Sequence, residues 1–191
     1  MKSVLQTGKG KPERGIASGG LMADRRADVI SGLEKGLENS IVFFKSLPPE
    51  KLGLTVYQDG AAWTVQQVLA HFITIERSMQ WLFNNMLSGG PGSPGDFDLE
   101  RFNRTQPQKL DGLALNELID QFRSVRRDTI AIVKGMSEND LDREGLHPFH
   151  GHGTLERFIR WAYEHVGLHE NDIRTALNIA KKRLDAVESD P

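Results

Sequence analysis

Apolar side chains recur every three or four positions through four long stretches of this chain. That period assigns each stretch to an amphipathic helix. In the first, about 24–47, the stripe is Val29, Leu33, Leu37, Ile41 and Phe44. Asp24 offers a carboxylate to cap it, and Pro48-Pro49 end it because neither can donate to the helical ladder. The second stretch opens at Thr64, which with Gln67 has the form of a capping box, while Trp63 and Val68 have the spacing of a hydrophobic staple. Its stripe runs through Phe72, Ile75, Met79, Leu82 and Met86, and stops at Ser88-Gly-Gly-Pro-Gly-Ser-Pro-Gly95. The third, about 115–136, carries Leu118, Ile119, Phe122, Val125, Ile132 and Val133. The fourth follows Gly153-Thr154 and runs from Leu155 to about Val187. No stretch alternates as a strand does, and no internal repeat is present.

The pattern therefore predicts an all-α fold, a four-helix bundle. One connection is unusual. About 26 residues separate the second and third helices, against roughly 2–8 in most bundles. Phe97, Leu99 and Phe102 give that segment something to pack, so a short helix crossing one end of the bundle is expected. Residues 1–21, with five glycines, four basic residues and few apolar side chains, read as a disordered tail rather than a secretory signal. That leaves 22–191 as one domain.

Composition changes the picture by exclusion. Lys and Arg number 24 and Asp and Glu 26, for a net charge of −2, a poor match for a nucleic-acid backbone. No apolar run approaches the roughly 18–20 residues that span a bilayer, so no membrane partner is expected. With no cysteine, the chain has no disulfide, no Cys-ligated metal and no catalytic thiol of its own. A cytoplasmic location is the default expectation. Any metal must be held by imidazole and carboxylate. Arg123, Arg126 and Arg127, near Asp120, read as a solvated helix face. Gly36 is a place where a neighbouring helix could come close.

Six histidines carry the candidate chemistry. His165 and His169 stand at i and i+4, with Cβ atoms about 5–6 Å apart on a helix. Metal–nitrogen bonds of about 2.0–2.1 Å can bridge that gap. The pair shares an arc with Phe158, Trp161, Ala162 and Ala176, the arc that should face the interior. Buried imidazoles need a hydrogen bond or a metal, and the spacing leaves both readings open. Asp172, on the same arc, is suited to orient an imidazole or to sit at a pocket mouth. His71 lies at the edge of the second helix's stripe, beside Thr74 and Ser78, where it can reach a neighbour. The run His147-Pro-Phe-His150-Gly-His152-Gly153 reads as a loop, since its glycines and proline make ordering around an ion costly. Its best place is the wall or lid of a pocket near His165, supplying a proton-transfer group.

Trp63-Thr64 leading into Val68-Leu69-Ala70-His71-Phe72, then His165-x3-His169 with Glu170-Asn171-Asp172-Ile173 behind it, resembles the DinB-like superfamily. The likeness spans about residues 24–185 and includes the long connection. It implies a divalent metal, variously zinc, nickel, iron or manganese, on His71, His165 and His169, with a coordination position open to water or substrate. It further implies a thiol-dependent transferase or isomerase that uses a low-molecular-weight thiol such as mycothiol or bacillithiol. Asp172-Ile173 resembles the mycothiol-dependent isomerase branch. A metal-hydroxide hydrolase is the nearest variant. The alternative is a non-catalytic, metal-containing protein that binds or sequesters a small molecule. A homodimer formed through an exposed face of the first or third helix is a further expectation.

Overall fold

Each of the four periodic stretches is a helix close to its predicted bounds. The computed structural model describes residues 24–57 and 60–188, so the expected tail at 1–21 lies outside the described residues. The elements are α1 (Arg25–Ser46), α2 (Val65–Leu87), α3 (Leu99–Thr105), α4 (Leu115–Lys134), β1 (Glu144–His147), β2 (Gly151–Thr154) and α5 (Leu155–Glu188). The local signals act as read. Asp24 accepts from the Ala27 backbone N–H at 2.9 Å. Thr64 Oγ1 accepts from Gln67 N at 3.3 Å, and Gln67 Oε1 accepts from Thr64 N at 3.1 Å. No helix among the described residues is long and apolar enough to cross a membrane.

The order of packing differs from the order of the chain. α1 lies against α4 and α5, and α2 lies against the same two helices. α1 and α2 therefore face each other across the bundle, as do α4 and α5, while α2 and α4 are side by side. Side-chain contacts give the directions. Arg25 pairs with Glu156 and Ser40 with Glu170, so α1 and α5 run parallel. Gln66 bonds to the Leu113 carbonyl and Gln80 to that of Val125, so α2 and α4 also run parallel. A chain leaving the far end of α2 must travel back before it can start a parallel neighbour. That return is the work of residues 88–114, and α3 is the short helix expected there.

Close approach of α1 and α5 depends on small residues. A Cβ at Gly36 would stand 3.0 Å from Tyr163 Cβ, and one at Gly32 would stand 2.6 Å from the Tyr163 ring. Apolar packing forms two groups. Phe44, Phe72, Phe122, Val166 and Ile173 belong to one; Leu33, Phe83, Leu155, Phe158 and Ile159 belong to the other. Arg126 and Glu76 lie where the groups meet. Arg126 is fully buried, which overturns its reading as part of a solvated face. Its Nε stands 2.7 Å from Glu76 Oε1, and its other nitrogens donate to the carbonyls of Ala162 (2.9 Å) and Leu33 (3.4 Å). Arg123 keeps the expected pairing with Asp120, at 2.6 Å.

The segment read as a loop is a tight antiparallel hairpin. β1 pairs with β2 with Glu144 opposite Thr154 and His147 opposite Gly151. The strands have four residues each and include three glycines between them, too few side chains to show alternation. Backbone pairing decides instead. β1 is also bonded on its other edge: Ser93 N donates to Leu146 O, and Leu146 N to Pro91 O, both at 2.8 Å. Gly92 makes that strip fit. Its φ is +95°, and a Cβ there would meet Leu146 O at 2.5 Å.

Candidate metal centre

α2 and α5 are neighbours, and each turns its inward face to the other. That places His71 from α2 opposite His165 and His169 from α5. His165 Nε2 stands 3.0 Å from His71 Nε2 and 2.9 Å from His169 Nε2. One ligand atom from each of the three lies within 4.8 Å of the others. A ring nitrogen offers either one proton or one lone pair. His165 Nε2 therefore cannot make a well-directed hydrogen bond to both neighbours. Three lone pairs converging on one point are better matched by a cation with bonds of about 2.0–2.1 Å. The donor set thus fits a divalent metal.

Burial keeps the set neutral, the form a metal requires. It holds His71 well below the usual histidine range, with the nearby imidazoles adding to the effect. His165 is pushed down to about 3, by burial first and then by His169. His169 is pushed down to about 4 by burial, against a smaller upward pull from Asp172.

The surroundings fix each ring. Trp63 stacks on His71 with centroids 4.3 Å apart. Tyr57 joins its hydroxyl to His169 Nδ1 and donates to Asp172 Oδ2 at 2.7 Å. Nδ1 of His169 then carries the proton, and Nε2 keeps its lone pair toward the cluster. Burial, and then the Asp172 carboxylate, push the Tyr57 phenol well up, so it stays protonated. Nδ1 of His71 and Nδ1 of His165 are buried with no partner.

Asp172 is exposed and reaches the cluster through Tyr57. His147 is buried in the wall of a cleft of about 330 Å³ that opens onto all three histidines. His150 packs edge-on to Trp161, centroids 4.5 Å apart, and does not line that cleft. His152 is exposed on β2 and also lies outside it. Sequence reasoning missed Tyr57. It lies in an aperiodic segment far from α5, and no spacing rule joins it to His169. A second cleft, of about 280 Å³, adjoins the first; Trp63, Asn103 and His169 line both.

The family model described as the DinB superfamily matches residues 33–173. No curated protein matches the chain. Among solved structures, YfiT from Bacillus subtilis, described as a probable metal-dependent hydrolase with an unusual four-helix bundle topology, superposes with a TM-score of 0.67 at 16% identity, covering 91% of this chain and 95% of that one. The mycothiol-dependent maleylpyruvate isomerase superposes with a TM-score of 0.64 at 13% identity, covering 78% of this chain and 60% of that one. A protein from Clostridium difficile 630 gives 0.64 at 14% identity, covering 82% and 97%. At these identities the likeness establishes the fold, a four-helix bundle of the YfiT kind.

Proposed function

The chain belongs to the DinB superfamily, and from that premise we propose that it is a metal-dependent enzyme transferring or isomerising a small molecule with a thiol cosubstrate. The observation that carries this reading is that two clefts meet at the histidine cluster. Two reactants need two compartments, whereas water needs none. Tyr57, Glu100, Asn103 and Arg104 line the 280 Å³ cleft, which suits a polar thiol compound. Ile75, Met79, Trp161 and Leu168 line the 330 Å³ cleft, which suits an apolar electrophile.

His71, His165 and His169 would hold the ion, and zinc, nickel, iron and manganese all accept imidazole nitrogen. When bound, such an ion supplies Lewis acidity that lowers the pKa of a thiol or of water. The chain's own groups do the rest. Burial keeps the imidazoles unprotonated. Trp63 blocks one face of His71, and Tyr57 with Asp172 holds the His169 ring against rotation. The mycothiol-dependent isomerase among the structural neighbours supports a thiol cosubstrate. The description of YfiT supports hydrolysis as the second reading.

The test is to load the protein with each of the four metals and assay 1-chloro-2,4-dinitrobenzene with bacillithiol, mycothiol or glutathione, beside p-nitrophenyl esters without thiol. Thiol-dependent turnover that disappears in His165→Ala is expected. Turnover of esters alone moves the assignment to a hydrolase. Full metal content with neither activity moves it to a metal-containing binding protein.

A further inference from the structure

One face of α5 lines two clefts in succession. Trp161, His165, Leu168 and Asp172 line the 330 Å³ cleft. Asp172, Ala176 and Ile179 line another, of about 320 Å³, whose remaining wall includes the segment Leu54–Tyr57. Steps of three or four residues put these α5 side chains on one side of the helix. The clefts share Asp172, so they lie end to end along that side. From Trp161 to Ile179 the groove runs roughly 27 Å, at 1.5 Å per residue. Three large apolar side chains left exposed among the described residues stand along it: Phe149 (63%), Leu168 (53%) and Ile179 (47%). A single exposed apolar residue is ordinary, but a row of them in a concave surface marks a binding site. Phe149 stacks on Trp161 with centroids 5.4 Å apart, and the Trp161 ring stands 5.5 Å from that of His165. The histidines thus lie toward one end of the groove and Ile179 at the other.

Length, width and charge decide what fills the groove. Volumes of about 330 and 320 Å³ along that length make a channel narrower than a helix with its side chains, which is about 10–12 Å across. The main chain of α5 is bonded within the helix, so that wall offers nothing to a peptide strand. Asp172 carries the one formal charge in either lining, and Tyr57 already donates to it at 2.7 Å. An anionic tail would be repelled there. We infer that the apolar reactant is an elongated, uncharged molecule, with its reactive end beside the histidines at the Phe149–Trp161 stack and a hydrocarbon chain running past Asp172 to Ile179. This deepens the preceding reading by naming a substrate class. It rests on that reading only for the reactive end.

The experiment titrates butanol, hexanol, octanol and decanol into zinc-loaded and chelator-treated protein. Backbone amides are followed by NMR, with zinc content and mass in solution measured in parallel. Affinity should rise about two- to fourfold per added methylene through decanol. Octanol and decanol should shift the amides of Thr175, Ala176 and Ile179, which butanol leaves in place. Ala176→Trp fills the groove and Ile179→Glu charges its far end. Each should weaken decanol about tenfold and leave butanol unchanged. Val42→Glu, at an exposed apolar residue outside both clefts, should change neither. Affinity that levels off at hexanol, or decanol binding unchanged in both groove variants, would overturn the proposal. So would a dimer that Ile179→Glu converts to monomer, which would give the groove to a second copy of the chain. Length dependence without zinc binding would defeat the metal reading and leave this one standing. Zinc-dependent thiol transfer without length dependence would do the reverse.

Discussion

The Glu76–Arg126 pair and the histidine cluster are both polar groups inside this bundle, and they are handled in opposite ways. Glu76 and Arg126 are sealed between the two apolar groups, and the guanidinium also donates to two main-chain carbonyls. Burial pushes the Glu76 carboxyl up while Arg126 pulls it back. The chain supplies the countercharge. In the cluster of His71, His165 and His169 only the first is buried and the other two are half-buried; its nitrogens crowd one another, and it opens to two clefts. There the chain withholds the partner. A closed buried pair is a matter of architecture. An open set whose needs are unmet calls for something from outside.

The comparison can be broken by removing one member of each cluster. Arg126→Met strands a carboxylate in the core and should cost about 3–5 kcal/mol in urea unfolding, with Glu76→Leu/Arg126→Met recovering most of it. His165→Ala should abolish stoichiometric metal binding by elemental analysis, yet change the stability of metal-free protein by under about 1 kcal/mol, since it removes an unsatisfied group. If it destabilises the metal-free protein as Arg126→Met does, the histidines are structural. Acid provides a gentler version. His147 and His169 sit at about 4 and His165 at about 3 in the folded chain, below about 6.5 in the unfolded one. The unfolded state thus takes up more protons, and this stabilisation is complete above 6.5 and lost as pH falls toward 4. Thermal unfolding of chelator-treated protein across that window should show the decline. Tyr57→Phe should have the smallest effect, lowering metal affinity about tenfold in a competition titration while helicity is kept.

What could be read from the sequence was local. Caps, stripes and the i, i+4 pair depend on residues a turn or two apart, and the structure keeps them. His71 became a candidate ligand only through family resemblance, because its partners are on a helix about ninety residues away. Arg126 looked solvated because a helical wheel cannot show that Glu76 waits on a neighbouring helix. Tyr57 carried no periodic signal. The hairpin escaped notice because glycine-rich strands of four residues pair through main chain alone.

The strip at Pro91–Ser93 runs beside β1, with Gly92 bridged to Leu146. It fastens the start of the long connection to the strand that ends in His147. The wall carrying Asn103 and the wall carrying His147 are therefore cut from one frame, and the gap between them is gauged by main chain. Most side-chain replacements leave that gauge alone. Adding or deleting a residue between Gly95 and Asp98 would reset it. Changes of length there would retune which molecules the cleft admits, while the three histidines on their bundle helices stayed where they are.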